Sequence, residues 1–334
     1  MGAGEQPTQT QGAAVRPIVA GDAPGLAALI ERCYGDGYPK QVMYRPDELA
    51  ALIEAGDFSG VVAEADGSIV GHIGYSWPSS EATVVEAGTT VVDPQWRGQG
   101  LMMDLAVALA GLIASDGASG FIHFPTTAHE VMQRASLGSG GRETGIMLAY
   151  LPPDTRGRSE PAGDGGRLAV TVVYQPVAPA AAQEIFIPAR YEELILGLAT
   201  SLGLERSVAG PPVEPAGGSE LTRAFEESRG LERVSIERIG SDTGDCVEEI
   251  AGQSPATLIH VDLPMDDPGI GHATAQLLEL GFAFAAWLPG WDGRDVLRLQ
   301  RIADPTAAEL APELFSPEAR GLMEMIGAEL SGRA

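Results

Sequence analysis

The chain has 334 residues, with 46 acidic side chains against 21 basic ones, for a formal net charge of −25. At about twice a typical domain length and 44% hydrophobic, it predicts two domains, or one domain with a large elaboration, around a real core. No run of eighteen apolar residues marks a membrane-spanning helix, and the negative charge disfavours nucleic acid and anionic lipid as partners.

Residues 1–14 are rich in Gly, Gln and Thr, without a basic segment followed by an apolar one, and read as a disordered tail rather than a signal peptide. The chain begins Met1-Gly2 but has Gln6 where a myristoylation signal wants Ser or Thr. A strand is expected at 15–19, then a helix capped by Asp22 with Leu26, Leu29 and Ile30 at helical spacing. Pro46 stands where a second helix would start. Asp66-Gly67 predicts a two-residue hairpin turn between strands at 60–65 and 68–76. A third strand, 82–92, is β-branched and ends at Asp93-Pro94. A turn with Gly98 and Gly100 opens into a helix at 101–114, whose apolar face carries Leu101, Leu105, Leu109 and Leu112; a buried strand at 120–124 follows. This order implies an α/β fold with a mixed sheet covered by helices on both faces.

Two Pro/Gly-rich stretches punctuate the rest: 152–166, read as a linker, and 209–219, read as an insertion. Strands are expected at 168–174 and 233–239, and a helix at 189–202. The clearest ending is a strand at 257–263, a helix capped by Asp267-Pro268 and stopped at Gly281, and a hairpin of 282–288 with 295–301. The domain reading is therefore a tail (1–14), a catalytic domain (15–151), a linker (152–167) and a C-terminal domain (168–334).

The only cysteines, Cys33 and Cys246, fall in different halves and make neither a disulfide framework nor a zinc pattern, which favours a reduced cytoplasm. Lys40 is the only lysine; the Arg bias, with abundant Ala and Gly, suggests a GC-rich bacterial gene.

The most informative segment is Val91-Val92-Asp93-Pro94-Gln95-Trp96-Arg97-Gly98-Gln99-Gly100-Leu101-Met102. A strand stops at proline, and a two-glycine turn leads straight into an amphipathic helix. The first helical N–H groups have no intrahelical acceptor, and with the positive end of the helix dipole they suit a pyrophosphate. An ordinary strand-to-helix turn is the plainer reading of the glycines alone. The spacing Gln95-x-x-Gly98-x-Gly100 also resembles the Gln/Arg-x-x-Gly-x-Gly/Ala signature of the GNAT superfamily of N-acyltransferases, over roughly residues 15–150.

That resemblance implies acetyl-CoA or another acyl-CoA as donor, held by Gln95, Arg97, Gly98, Gln99, Gly100, Leu101 and Met102, with the Thr90, Val91 and Val92 edge pairing with the pantetheine arm. It implies transfer of the acyl group to the amine of a small molecule by direct attack on the thioester, which needs a base, an oxyanion donor and a proton source for the thiolate. Glu86 lies where family members often place a base, and an isolated, buried carboxylate there would have a raised pKa. Family members often carry a tyrosine acid on the helix after the next strand; this chain has none there, and Ser136 is the substitute candidate. His123 and His129 are further candidates, each more readily explained as a structural residue, as is His72. His260 with Asp262, Asp266 and Asp267 raises a metal site, but helix capping already explains Asp267, and no metal is expected. The C-terminal ending resembles the closing part of a second GNAT-like unit without the glycine turn, a degenerate half that would wall the acceptor cleft.

Two alternatives stay open. One is an amide-forming acyltransferase of natural-product biosynthesis with a carrier-protein or aminoacyl-tRNA donor; the charge counts against tRNA, and a carrier protein would need an Arg patch such as Arg134, Arg142, Arg156 and Arg158. The other is a non-catalytic CoA-binding module. A homodimer is compatible with either.

Overall fold

The Asp66-Gly67 turn forms as its sequence demands: both residues take positive φ (48° and 73°), and strands β3 (Ser59–Ala65) and β4 (Ser68–Ser76) pair antiparallel across it. The computed structural model describes residues 9–10, 12–152, 166–307 and 309–332. Residues 1–8 and 11 of the expected tail, and 153–165 of the expected linker, lie outside the described residues, as do Arg156 and Arg158. Strands β1 (Gln9–Thr10) and β2 (Ala13–Pro17) pair antiparallel, and β2 adds to β3.

Helices α1 (Ala23–Tyr34) and α2 (Pro46–Ala55) follow β2, the second with proline at its start. Asp22 precedes α1 but does not cap it; its carboxylate accepts from Arg16 at 2.7 and 2.8 Å and from Val19 N at 2.9 Å. Then come β5 (Val84–Val92), α3 (Leu101–Ser115), β6 (Gly120–His123), α4 (Glu130–Gly138), β7 (Arg142–Leu151) and β8 (Leu168–Pro176). One apolar layer packs α3 on the sheet through Leu101, Leu105, Leu109 and Ile113. A second packs α1 and α2 on the opposite face through Leu26, Ile30 and Leu49.

The C-terminal half comprises β9 (Gln183–Ile185), α5 (Glu192–Leu202), β10 (Arg206–Val208), β11 (Glu220–Glu226), β12 (Leu231–Arg238) and α6 (Thr243–Gln253). It continues with β13 (Leu258–Pro264), α7 (Ile270–Glu279), β14 (Ala283–Leu288), β15 (Val296–Ile302) and α8 (Pro317–Leu330). Helix α7 begins three residues after Asp267, so Pro268 is not its first residue. The Asp267 carboxylate instead accepts from Gly269 N (2.8 Å) and Ile239 N (3.0 Å).

Among the described residues thirteen strands form one mixed sheet, in the order β1-β2-β3-β4-β5-β6-β8-β7-β14-β15-β13-β12-β11. β8, which the sequence reading put in the second domain, lies between β6 and β7 and completes the first half's sheet. A strand order recurs. In the first half β5 and β6 are parallel across α3, and β6, β8 and β7 follow antiparallel. In the second half β12 and β13 are parallel across α6, and β13, β15 and β14 follow antiparallel. The equivalent strands β7 and β14 join antiparallel, so the two halves face each other across one continuous sheet.

Candidate active site

The site grows from a break in pairing. β5 and β6 are in register only from Val84↔Gly120 to Ala87↔His123; beyond Ala87, residues 88–92 have no strand partner on that edge among the described residues. On its other edge β5 bulges against β4, with Thr89 at φ 52° and its carbonyl 2.9 Å from His72 Nδ1. The strands splay, and a stretch of backbone faces the gap. Thr90, Val91 and Val92 lie on this stretch, with Val91 and Val92 anchored in the cores on opposite faces.

The turn after β5 is braced from within. Asp93 accepts from Gln95 N (3.0 Å) and from Arg32 Nε (3.0 Å), Arg97 Nε donates to Val92 O (3.1 Å), and Gln99 Nε2 donates to Gln95 O (2.8 Å). Gly98 and Gly100 take positive φ (74° and 87°), and a Cβ on either would point into open space. Among the described residues no side chain caps α3. Among the described residues, the amides of Gly98, Gln99, Gly100, Leu101 and Met102 have no intramolecular acceptor, while Met103 and Asp104 return to Gly100 O. Five orphan donors at the start of a fifteen-residue helix form an anion cradle. The residues expected at the donor site are thus brought together, with Leu101 and Met102 packed against the core beneath.

Glu86 lies on β5 just before the splay, on the face of Val84, which packs in the C-terminal core; Val85 and Ala87 face α3. It is not isolated. Lys40 Nζ stands 3.6 Å from its Oε1. Burial pushes the Glu86 carboxyl up, but Lys40, Arg229, Arg233 and Arg298 together hold it below the ordinary range, the reverse of the shift expected from the sequence. Local patterning carries little sign of this, because three of these cations come from the far half of the chain; Lys40 has only its singularity as a signal.

His123 ends β6 and points to the α3 face, its ring 5.3 Å from Phe121, so it lies across the sheet from Glu86. Burial pushes its pKa down to about 4, leaving it neutral near pH 7, and its Nε2 is buried without a partner among the described residues. Ser136 does not fill the role suggested for it. It is 5% exposed and its hydroxyl donates to Met132 O within α4 (2.7 Å), so its proton is committed there. His129 sits at the N-terminus of α4.

His260 stacks on Tyr150 (5.8 Å, 4°) and does not meet the carboxylates named with it. Arg298 takes Asp262 at 2.6 and 2.7 Å, Arg294 takes Asp266, and Asp267 is bound to amides. No group of three or more His, Cys, Asp or Glu able to hold a metal occurs among the described residues. Arg134 pairs with Glu130 and covers Phe315, and Arg142 donates to Gly141 O, so the two described members of the expected Arg patch are held individually. No helix among the described residues is long and apolar enough to cross a membrane.

Comparison with known proteins finds a family match in the first half. Residues 23–131, about a third of the chain, match the model of the acetyltransferase (GNAT) family. No curated protein matches the chain. Similar solved structures include a GNAT-superfamily phosphinothricin acetyltransferase from Sinorhizobium meliloti in complex with acetyl-CoA: 20% identical, covering 52% of this chain and 92% of that one, TM-score 0.42. Others are the ribosomal-protein-S18-alanine N-acetyltransferase of Escherichia coli (14%, 52% and 99%, TM-score 0.40) and an N-acetyltransferase from Staphylococcus aureus Mu50 (16%, 49% and 98%, TM-score 0.40). The likeness to the acetyltransferase (GNAT) family is carried by residues 23–131.

Proposed function

We propose that the protein is an acyl-CoA-dependent N-acyltransferase whose first domain runs from β2 through β8 and whose second half is a GNAT-like unit without a donor site. The observation that carries this reading is the run of acceptor-free amides from Gly98 to Met102, at the end of a strand edge left open by the splay. The cradle fits a pyrophosphate, and the free edge at residues 88–92 fits the amide-bearing pantetheine arm. Bound there, acyl-CoA supplies an activated thioester. The residues of this chain then orient it, and Glu86, ionised and facing the junction between the halves, takes the proton of the attacking amine. The C-terminal half repeats the strand order but not the glycine turn, which supports its role as the wall of the acceptor side.

Calorimetric titration with acetyl-CoA and CoA, followed by thiol release with a panel of amines, tests the reading. Micromolar binding and amine-dependent thiol release are expected; absence of binding overturns it, and binding without release leaves only the non-catalytic module.

A further inference from the structure

Glu86 looks into the junction between the halves, and the charge there is opposite to that of the chain as a whole. Four cationic side chains act on it: Lys40 from the segment between α1 and α2, Arg229 from the turn before β12, Arg233 from β12, and Arg298 from β15. Three carboxylates offset them, and they are unevenly shared. Arg298 holds both oxygens of Asp262, at 2.6 and 2.7 Å, and Asp262 also acts on Arg233 from further away. Glu226 is divided between Arg229 Nη1 (2.7 Å) and Arg233 Nη2 (3.1 Å), and Lys40 keeps only the 3.6 Å contact to Glu86. Arg229 also donates to Tyr150 Oη at 2.9 Å.

The nearby cluster therefore holds one more cation than carboxylate, in a chain of net charge −25. Arg233 Nε is buried with no acceptor among the described residues. Buried guanidinium donors are ordinarily satisfied, and a cation surplus in a half-buried cluster favours an anion that arrives to share it. Space for one exists. A cavity of about 340 Å³ is lined by three cations, Lys40, Arg45 and Arg229, and one carboxylate, Glu226, with Gln41 and Ser228. Another, of about 210 Å³, is lined by Arg233 and Arg294 but also by Asp262, Glu237 and Asp292, which makes it the less favourable of the two for an anion. Both are bounded by the two halves together, as expected of a small-molecule site at a domain junction.

We propose that the acceptor is an amine bearing a carboxylate, and that Lys40, Arg229 and Arg233 hold that carboxylate in the junction while its amine faces Glu86. The inference rests on the acyltransferase reading and names its substrate class. Guanidinium forks suit a carboxylate, and the shared Glu226 leaves donors to spare. Neutralising these cations also relaxes their pull on Glu86, so that arrival of the acceptor makes its base stronger.

The test uses the full chain saturated with CoA and calorimetric titration with the common L-amino acids and ω-amino acids, each beside its carboxamide. The expected result is at least one carboxylate binding at least tenfold more tightly than its amide. Arg233→Met should bring that affinity to the level of the amide, Arg233→Lys should restore part of it, and acetyl-CoA affinity should stay unchanged in both. Lys40→Met, at a less buried position, gives the same readout if thermal melting shows that Arg233→Met does not fold. Amides binding as tightly as carboxylates, or no carboxylate binding at all, overturns the proposal while leaving acetyl-CoA binding intact. Failure of the wild-type chain to bind acetyl-CoA overturns the acyltransferase reading instead.

Discussion

Lys40 Nζ lies 3.6 Å from Glu86 Oε1, which ties the segment between the first two helices to the strand leading into the anion cradle. The pair is mutually stabilised: burial works against both charges, yet Lys40 is held above its ordinary range, chiefly by Glu86, and Glu86 below its own, chiefly by Lys40. If Glu86 is the base, activity requires its ionised form and falls as pH drops through its pKa. Lys40→Met should therefore move the acid limb of the thiol-release profile to higher pH, and Glu86→Gln should lower kcat by about a hundredfold or more. An acid limb that stays in place after Lys40→Met assigns the base elsewhere.

Much of the first half was legible because its signals are local. Asp66-Gly67 carries its own turn, Pro46 its own helix start, and the Gln95–Gly100 spacing its own cradle. Pairing over long separations was not. Residues 168–176 taken alone suggest the start of a second domain, since nothing within them shows that β8 inserts between β6 and β7. The charges around Glu86 were hidden for the same reason: Arg229, Arg233 and Arg298 approach only through the β7–β14 junction. Ser136 looked available because a sequence does not show that a helical serine returns its proton to the carbonyl four residues back.

A side chain at Gly100 tests the donor site with little damage to the core. The added Cβ meets nothing within contact distance, so the cost to the fold is the φ of 87°, about 1–2 kcal/mol. Gly100→Val should raise the Kd for CoA more than tenfold, because its methyl groups stand where a pyrophosphate would approach the amides. Calorimetry alongside a thermal melt separates the two effects, and unchanged CoA affinity removes the cradle from the mechanism.

Ser136→Ala should leave thiol release within about twofold of wild type. Its hydroxyl proton is held by Met132 O at 2.7 Å, and losing such a bond costs stability of about 1 kcal/mol at most. A loss of kcat of tenfold or more, with acetyl-CoA affinity unchanged, restores Ser136 as the group that protonates the leaving thiol.

His72 gives the first half an acid-sensitive point. Burial pushes its pKa down to about 4, and the bond to Thr89 O offsets this only in part. The unfolded chain, with an ordinary histidine near 6.5, binds the proton more readily, so stability is full above pH 6.5 and is lost as pH falls towards 4. The shift corresponds to about 3 kcal/mol across that window. Urea unfolding at pH 7 and at pH 4.5 should show the loss, and His72→Leu should flatten that part of the profile. The bulge at Thr89 lies against this ring, so the donor edge of β5 should loosen first, read as faster amide exchange at residues 88–92.

The junction itself rests on close backbone approach at Gly145, whose register partner is Ala286 on β14. A Cβ at Gly145 would run into the backbone of Ala285 and Ala286, which has no freedom to give way. Gln300 clamps the same place from within: its Oε1 accepts from Leu148 N at 2.8 Å, and its Nε2 donates to Ile146 O and Phe284 O at 2.9 Å each. Gly145→Val should therefore destabilise the chain by about 3 kcal/mol, the upper end for overpacking, by forcing β7 and β14 apart. Gln300→Leu should act in the same direction by leaving a buried amide and two buried carbonyls unpaired. The donor cradle belongs to the first half alone, whereas three of the four cations facing Glu86, Arg229, Arg233 and Arg298, cross the junction from the second. Under conditions where Gly145→Val remains folded, acetyl-CoA affinity should persist while KM for the acceptor rises. Equal loss of both affinities would instead make the two halves one indivisible site.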